Sequence, residues 1–298
     1  MKNASSGASL LMLVTAVVIW GTLGLFRRYI PLSSALLAFV RGAVGAGFLL
    51  AWMALRRKPF DRTFPRRLWA LLLLSGALIG VNWILLFEAY SYTTVATATL
   101  CYYMAPVLVV LLSPLVLGES LPPVRLLWVG TAVLGMVFVS GVPENGLPRA
   151  GELRGILLGL AAAVLYASVV MLNKRLAGVG TYERTILQLA AAAAVLVPYL
   201  LATEDLSALT LTPRTAGLLL VLGVVHTGLA YALYFGSIER LRAQTVALFS
   251  YLDPVTAILL SALVLGERLT PLGALGAALV LGSTIAGEVW GARRETAP

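Results

Sequence analysis

The amino-acid sequence predicts an all-α integral membrane protein of ten transmembrane helices, arranged as two inverted five-helix repeats. Three observations carry this prediction. The 298 residues are 60% hydrophobic and only 12% charged, with a mean hydropathy of +0.93. A water-soluble domain holds roughly 25% charged residues, so this composition is wrong for a surface that must face water. The charges are also clustered, leaving apolar windows of the roughly 20 residues that a helix needs to cross a bilayer. The third observation is an internal repeat at an offset close to half the chain.

In chain order, span 1 is the charge-free window 3–26, and span 2 is 29–55, interrupted only by Arg41. Spans 3 to 8 are 68–87, 89–118, 126–143, 155–173, 185–203 and 215–238. Span 9, 243–266, is interrupted only by Asp253, and span 10 is 269–287. Windows rich in Ala, Leu, Val and Gly favour helices over the ~10-residue alternating segments of a membrane barrel. Pro31, Pro59, Pro65, Pro122, Pro123, Pro143, Pro148, Pro213 and Pro271 lie in or beside the intervening loops, as expected for a residue that cannot continue a helix. Lys2 ahead of an apolar run superficially resembles a signal peptide. The run is full length, however, and no A-x-A pattern follows it, so it is read as the first span. A single cysteine, Cys101, excludes an intramolecular disulfide framework and a Cys-cluster metal site.

A net charge of +9 invites a nucleic-acid reading, but the loops are too short for such a domain. With the N-terminus in the cytoplasm, 15 Lys and Arg fall inside, 6 outside, and Arg41 within a span. That asymmetry is the positive-inside pattern. Both termini are therefore expected in the cytoplasm, and the basic run from Arg56 to Arg67 reads as a headgroup-facing determinant of orientation.

The segment Pro106–Glu119 aligns with Pro254–Glu267 at an offset of 148, and half the chain is 149. The pairs Pro106/Pro254, Ser113/Ser261, Gly118/Gly266, Glu119/Glu267 and Pro123/Pro271 are not explained by apolar composition. The expected division is residues 1–144 and 145–298. Five helices per copy is an odd number, so the second copy enters the membrane from the opposite side. Inverted repeats suit alternating access, because exchanging the conformations of two related halves turns an outward-open state into an inward-open one.

The blocks Gly118-Glu119 and Gly266-Glu267 closing a proline-containing apolar helix, Trp20-Gly21 in span 1, and the 5+5 layout resemble the EamA-type, ten-helix members of the drug/metabolite transporter (DMT) superfamily. The resemblance covers essentially the whole chain. It implies a bacterial inner-membrane secondary transporter, typically exporting amino acids, nucleobase-like metabolites or drugs, with spans 1, 3, 4, 6, 8 and 9 around a central cavity.

An ionised side chain at the centre of a span costs roughly 2.5–3.5 kcal/mol on insertion scales, so each one needs a reason. Asp253 is expected near the middle of span 9, sharing a face with Phe249, Ser250, Thr256 and Ala257. It either lines a solvated cavity or bonds to a neighbouring helix. Glu88 lies about one turn from the outer end of span 3, beside a Trp83, Phe87 and Tyr90 stripe that suits an amino-bearing substrate through charge and cation–π attraction or forms an interfacial aromatic belt. A carboxyl group can take up and release a proton, so Glu88 and Asp253 are both candidates for carrying a coupling proton. Arg41 is expected to snorkel or to pair with Glu88, in a contact more structural than substrate-binding. His226 is expected at mid-depth in span 8, beside a stripe of Thr227, Tyr231 and Tyr234, as a packed residue or a relay. Trp20, Asn82 and Tyr103 complete the candidate set, with ordinary packing as the competing reading for the tyrosines, and Pro106 and Pro254 are candidate gating kinks. Gly76/Gly80, Gly155/Gly159 and the group Gly42, Gly45 and Gly47 permit close helix approach without implying an oligomer.

No metalloprotease, Walker A or nucleophile-elbow motif is found, and no nucleotide-binding domain fits the loops. The expected function is secondary active transport without a cofactor or resident metal. The leading form is proton-coupled export of small amphipathic metabolites, amino acids or related amines. Import or facilitated passage of a similar solute or an organic cation is the alternative, with a membrane enzyme or channel as a third class.

Overall fold

The computed structural model describes residues 2–60, 63–117, 123–139, 143, 148–176, 178–205, 211–238, 241, 246, 249–267 and 269–295. Among them there is no strand, and the chain is an all-α membrane protein. Seven helical segments are long and apolar enough to cross a membrane: Gly7–Tyr29, Ser34–Leu55, Arg66–Tyr92, Val95–Leu112, Ala150–Arg175, Thr181–Thr203 and Pro213–Ser237. The shorter apolar helices Leu126–Val139, Leu252–Leu263 and Pro271–Gly287 correspond to spans 5, 9 and 10. The surface is apolar and the interior carries polar groups. Leu55, Leu115 and Leu263 are each at least 80% exposed, whereas Arg41, Asn82, Gln188 and His226 are buried. A protein solvated by lipid has this polarity.

The helices are α1 (Lys2–Gly21), α2 (Leu23–Tyr29), α3 (Ser34–Leu55), α4 (Arg66–Tyr92), α5 (Val95–Tyr102), α6 (Ala105–Leu117), α7 (Pro123–Val139), α8 (Ala150–Arg175), α9 (Thr181–Thr203), α10 (Pro213–Gly223), α11 (Ala230–Ile238), α12 (Leu252–Leu263) and α13 (Pro271–Glu295), with a π-helical turn, Val224–Leu229, between α10 and α11. Local chemistry sets many of the starts. Ser33, Thr94 and Thr212 each accept a hydrogen bond from the backbone N–H three residues on, and Pro213 occupies the first turn of α10.

Spans 1, 4 and 8 are not the uninterrupted α-helices that hydropathy suggests. Span 1 breaks at Thr22, and span 8 widens into the π turn. Span 4 breaks at Tyr103 and Met104, because the ring of Pro106 clashes with the carbonyl four residues earlier, that of Tyr102, and has no N–H to give. Pro254 likewise falls in the first turn of α12, where its missing N–H costs nothing. Asp253 is therefore at a helix start rather than mid-helix.

α4 packs on α8 and α9, α3 on α9, α7 on α13, and α1 on α11 and α12. The small residues sit in these seams. A Cβ on Gly76 would lie 2.6 Å from the Gln188 carbonyl oxygen, so α4 and α9 meet backbone to backbone there. Gly47, by contrast, has nothing within 4 Å. Gly266 adopts φ +68°, a left-handed turn after α12 that lets Glu267 fold back to accept the Ser261 hydroxyl at 2.7 Å. The Glu267 carboxylate also pairs with Arg28 at 2.7 Å and accepts the Val95 N–H at 2.8 Å, tying α2, α5 and α12 together. Its counterpart in the first copy, Glu119, lies outside the described residues.

Gly76→Val is expected to force α4 from α9 and cost about 1–3 kcal/mol, the usual range for overpacking. Thermal unfolding of purified protein would show a lowered midpoint. Gly47→Ala, which meets nothing, should leave the midpoint unchanged or slightly raised.

Candidate functional site

A cavity of about 1000 Å³ opens among α1, α3, α4, α5, α6, α8, α9, α11 and α12. Its walls mix aliphatic side chains with aromatic rings, and its polar groups arrive by specific local devices. The indole N–H of Trp20, near the end of α1, donates to the His226 carbonyl at 3.0 Å. The Trp20 ring meets Tyr231 and Tyr234, each at 5.2 Å between centroids.

The π turn provides the next element. In this widened backbone the carbonyls of Val221 and Leu222 also meet side chains five residues on, namely His226 Nδ1 at 3.3 Å and the Thr227 hydroxyl at 3.2 Å. The donating hydroxyl of Thr227 keeps its lone pairs for Arg41, whose Nε–H reaches it at 3.1 Å. The Arg41 guanidinium lies over the Trp83 ring at 4.2 Å, with Phe87 at 6.0 Å. Trp83, Phe87 and Tyr90 are all buried, so this stripe faces inward and is not an interfacial belt.

Asp253, in the first turn of α12, accepts the Tyr103 hydroxyl at 2.7 Å through Oδ2. The positive end of the α12 dipole complements its charge. Tyr103 closes α5 and Tyr251 precedes α12, exactly one repeat offset apart in number, and their rings lie 6.4 Å apart. Asn82 donates to the Ala162 carbonyl at 2.6 Å, and the Tyr90 hydroxyl meets Thr99 at 3.3 Å.

Of the residues expected from the sequence, Trp20, Arg41, Asn82, Trp83, Tyr90, Tyr103, Tyr231, Tyr234, Asp253 and Pro106 line this cavity. Glu88, His226, Phe249 and Pro254 are outside its lining. Glu88 accepts the Ser34 hydroxyl at 2.7 Å, and Arg27 donates to the same Ser34 oxygen at 3.3 Å. His226 is buried, with Nε2 2.8 Å from the Thr22 hydroxyl and its ring 4.4 Å from that of Phe26. It thereby spans the break in span 1. The expected Arg41–Glu88 contact does not form. Arg41 sits on the Trp83 and Phe87 side of α4, and Glu88 is a further 100° round the helix from Phe87, facing Ser34.

Hydropathy reasoning missed Arg184 and Asn173 as cavity residues. Arg184 counts with the loop charges by position, yet it lies one helical turn from Gln188 on α9, and that i, i+4 pairing is the signal for a shared polar face. Gln188 donates to Ser75 Oγ at 2.8 Å and Asn173 Oδ1 at 2.7 Å, joining α9 to α4 and α8.

The model of the EamA-like transporter family matches the chain twice, at residues 7–141 and 153–286. An uncharacterized transporter of Bacillus subtilis, YxxF, is 29% identical over 272 residues, covering 90% of this chain and 85% of that protein. An uncharacterized transporter of Vibrio cholerae is 29% identical over 277 residues, covering 90% and 87%. Protein PecM of Dickeya dadantii is 27% identical over 276 residues, covering 91% and 89%. One solved crystal structure superposes with a TM-score of 0.67 at 25% identity, covering 98% of this chain and 99% of the other. With an apolar exterior, a cavity bearing polar groups among its helices and two family matches in tandem, the chain belongs to the EamA-like transporter family and is a multi-pass membrane transporter.

Proposed function

We propose that the chain is a proton-coupled secondary transporter that exports small amphipathic metabolites, amino acids or related amines, by alternating access between inverted repeats 1–144 and 145–298. It resides in the bacterial inner membrane with both termini in the cytoplasm, the orientation that the 15-to-6 distribution of basic residues favours. The observation that carries the reading is the Asp253 carboxylate in the cavity, held by the hydroxyl of Tyr103 from the other repeat.

An acid bonded across the two repeats gains or loses a partner when they move relative to each other. Proton uptake and helix movement are thereby linked through one hydrogen bond. At the repeat offset of 148, tyrosines recur at 103 and 251 and prolines at 106 and 254, while Asp253 stands where the first copy has Ala105. The repeat supplies two matched helix breaks and only one of them carries the acid. Export from the cytoplasm with proton entry through the same cavity needs a single such group, and the aliphatic and aromatic walls suit the apolar part of an amphipathic solute. Glu88, hydrogen-bonded to Ser34 outside the lining, is assigned a supporting role between α3 and α4.

In reconstituted vesicles, an imposed pH gradient is expected to drive uphill accumulation of a labelled amino acid or amine. Asp253→Asn should reduce that accumulation at least tenfold while sparing downhill exchange, and Glu88→Gln should retain pH-driven transport. Undiminished pH-driven accumulation by the Asp253 variant would overturn the assignment.

Tyr103→Phe removes one hydrogen bond to a charged group, about 1.5–3 kcal/mol. It is expected to lower the pH-driven rate roughly tenfold or more and to shift its pH dependence. An unaltered pH profile with an unchanged rate would show that the Tyr103–Asp253 contact has no part in coupling.

A further inference from the structure

We infer that Arg41 is the carboxylate-recognising residue of the cavity, so that the transported solute carries a carboxylate together with its amine. This rests on the reading that the cavity is the substrate site, and it separates the amino acids from the simple amines that reading leaves together.

A guanidinium inside a span is costly and needs compensation. Arg41 is buried, and among the described residues it forms no ion pair. Its support comes from one edge and one face. Nε–H is fixed by Thr227, and the plane lies against Trp83 at 4.2 Å, where the ring's negative face attracts it. Gly45, one turn along α3, is what allows this approach: a Cβ there would collide with the Thr227 side chain, so the π turn can press against α3 only at a glycine.

The two Nη groups are left. Among the described residues neither has a hydrogen-bond partner, and neither is sealed from the cavity that Arg41 lines. A guanidinium held from behind, with its paired terminal N–H groups open, presents the planar fork that binds a carboxylate through two parallel hydrogen bonds. An ammonium in its place would keep the charge and lose the fork.

The charge balance of the cavity agrees. Among the described residues its charged lining consists of Arg41, Arg184 and Asp253, two cations and one anion. A bare amine meets the two cations with one anion to receive it. A zwitterion places its carboxylate on Arg41 and its ammonium on the Asp253 carboxylate, whose Oδ1 is not engaged by Tyr103. Arg41 and Asp253 face one cavity without pairing directly, which leaves the gap between them for the solute.

The test compares matched probes with and without the carboxylate on purified full-length protein: L-phenylalanine against 2-phenylethylamine, and L-leucine against 3-methylbutylamine. Affinity is read from the concentration dependence of thermal stabilisation. At least one of the amino acids is expected to bind about tenfold or more tightly than its amine, the scale of a charge-assisted hydrogen bond. Arg41→Lys should erase that preference by weakening the amino acid about tenfold more than the amine. The wild-type comparison needs no variant, so a poorly folding Arg41 protein does not remove the test. Amines that bind as tightly as their amino acids, or an Arg41→Lys protein with the wild-type preference, would overturn the role of Arg41 and leave the transporter reading intact. Stabilisation by none of the four probes would overturn both.

Discussion

A guanidinium buried inside a membrane protein constrains everything packed around it, because leaving bulk water is costly for it and its charge cannot readily be shed. Arg41 is supported by a hydroxyl and an aromatic face rather than by an acid. Each support depends on something else. The Thr227 hydroxyl is in reach because the π turn brings it there and because Gly45 lets α3 lie close, and the Trp83 ring is in reach because α4 turns its aromatic stripe inward. A cavity wall is thus built out of the requirement to stabilise one charge.

The broken helices follow the same logic. A membrane span cannot leave backbone carbonyls unpaired in lipid, so irregular backbone is confined to places where protein or a cavity satisfies it. Span 1 is interrupted where Thr22 and His226 meet, span 4 at Tyr103, and span 8 where the His226 and Thr227 side chains also reach the carbonyls of Val221 and Leu222. Tyr103 borders the cavity, and Thr227 and His226 lie in the π turn behind Arg41 and Trp20. His226 is better described as the residue that joins two interrupted spans than as an isolated polar side chain.

At the opposite end of the same helices, Glu267 gathers Arg28, the Val95 N–H and Ser261 onto one carboxylate. These contacts connect elements from both family matches. The cavity and this charged cluster are therefore linked through α12, whose first turn holds Asp253 and whose exit holds Glu267.

Hydropathy and charge spacing in the sequence were sufficient for the all-α membrane class, the repeated Gly-Glu blocks carried the resemblance to the family, and residues conspicuous in apolar windows, including Asp253, Trp83 and Tyr103, proved to be part of the lining. Those features are read along one dimension, since a charge in an apolar window is conspicuous wherever the chain goes. Facing is not of that kind. Whether Arg41 meets Glu88 or Trp83 depends on a difference of roughly 140° around α4 and on where α3 lies against it, and only the packed structure decides that. Arg184 was hidden for the converse reason, because a basic residue at a span's end resembles an orientation signal until α9 is seen to turn it into the cavity. The breaks at Thr22 and in the π turn escaped because hydropathy is blind to backbone geometry. The two breaks meet each other in the fold, the Thr22 hydroxyl against the His226 imidazole, 204 positions apart in the chain.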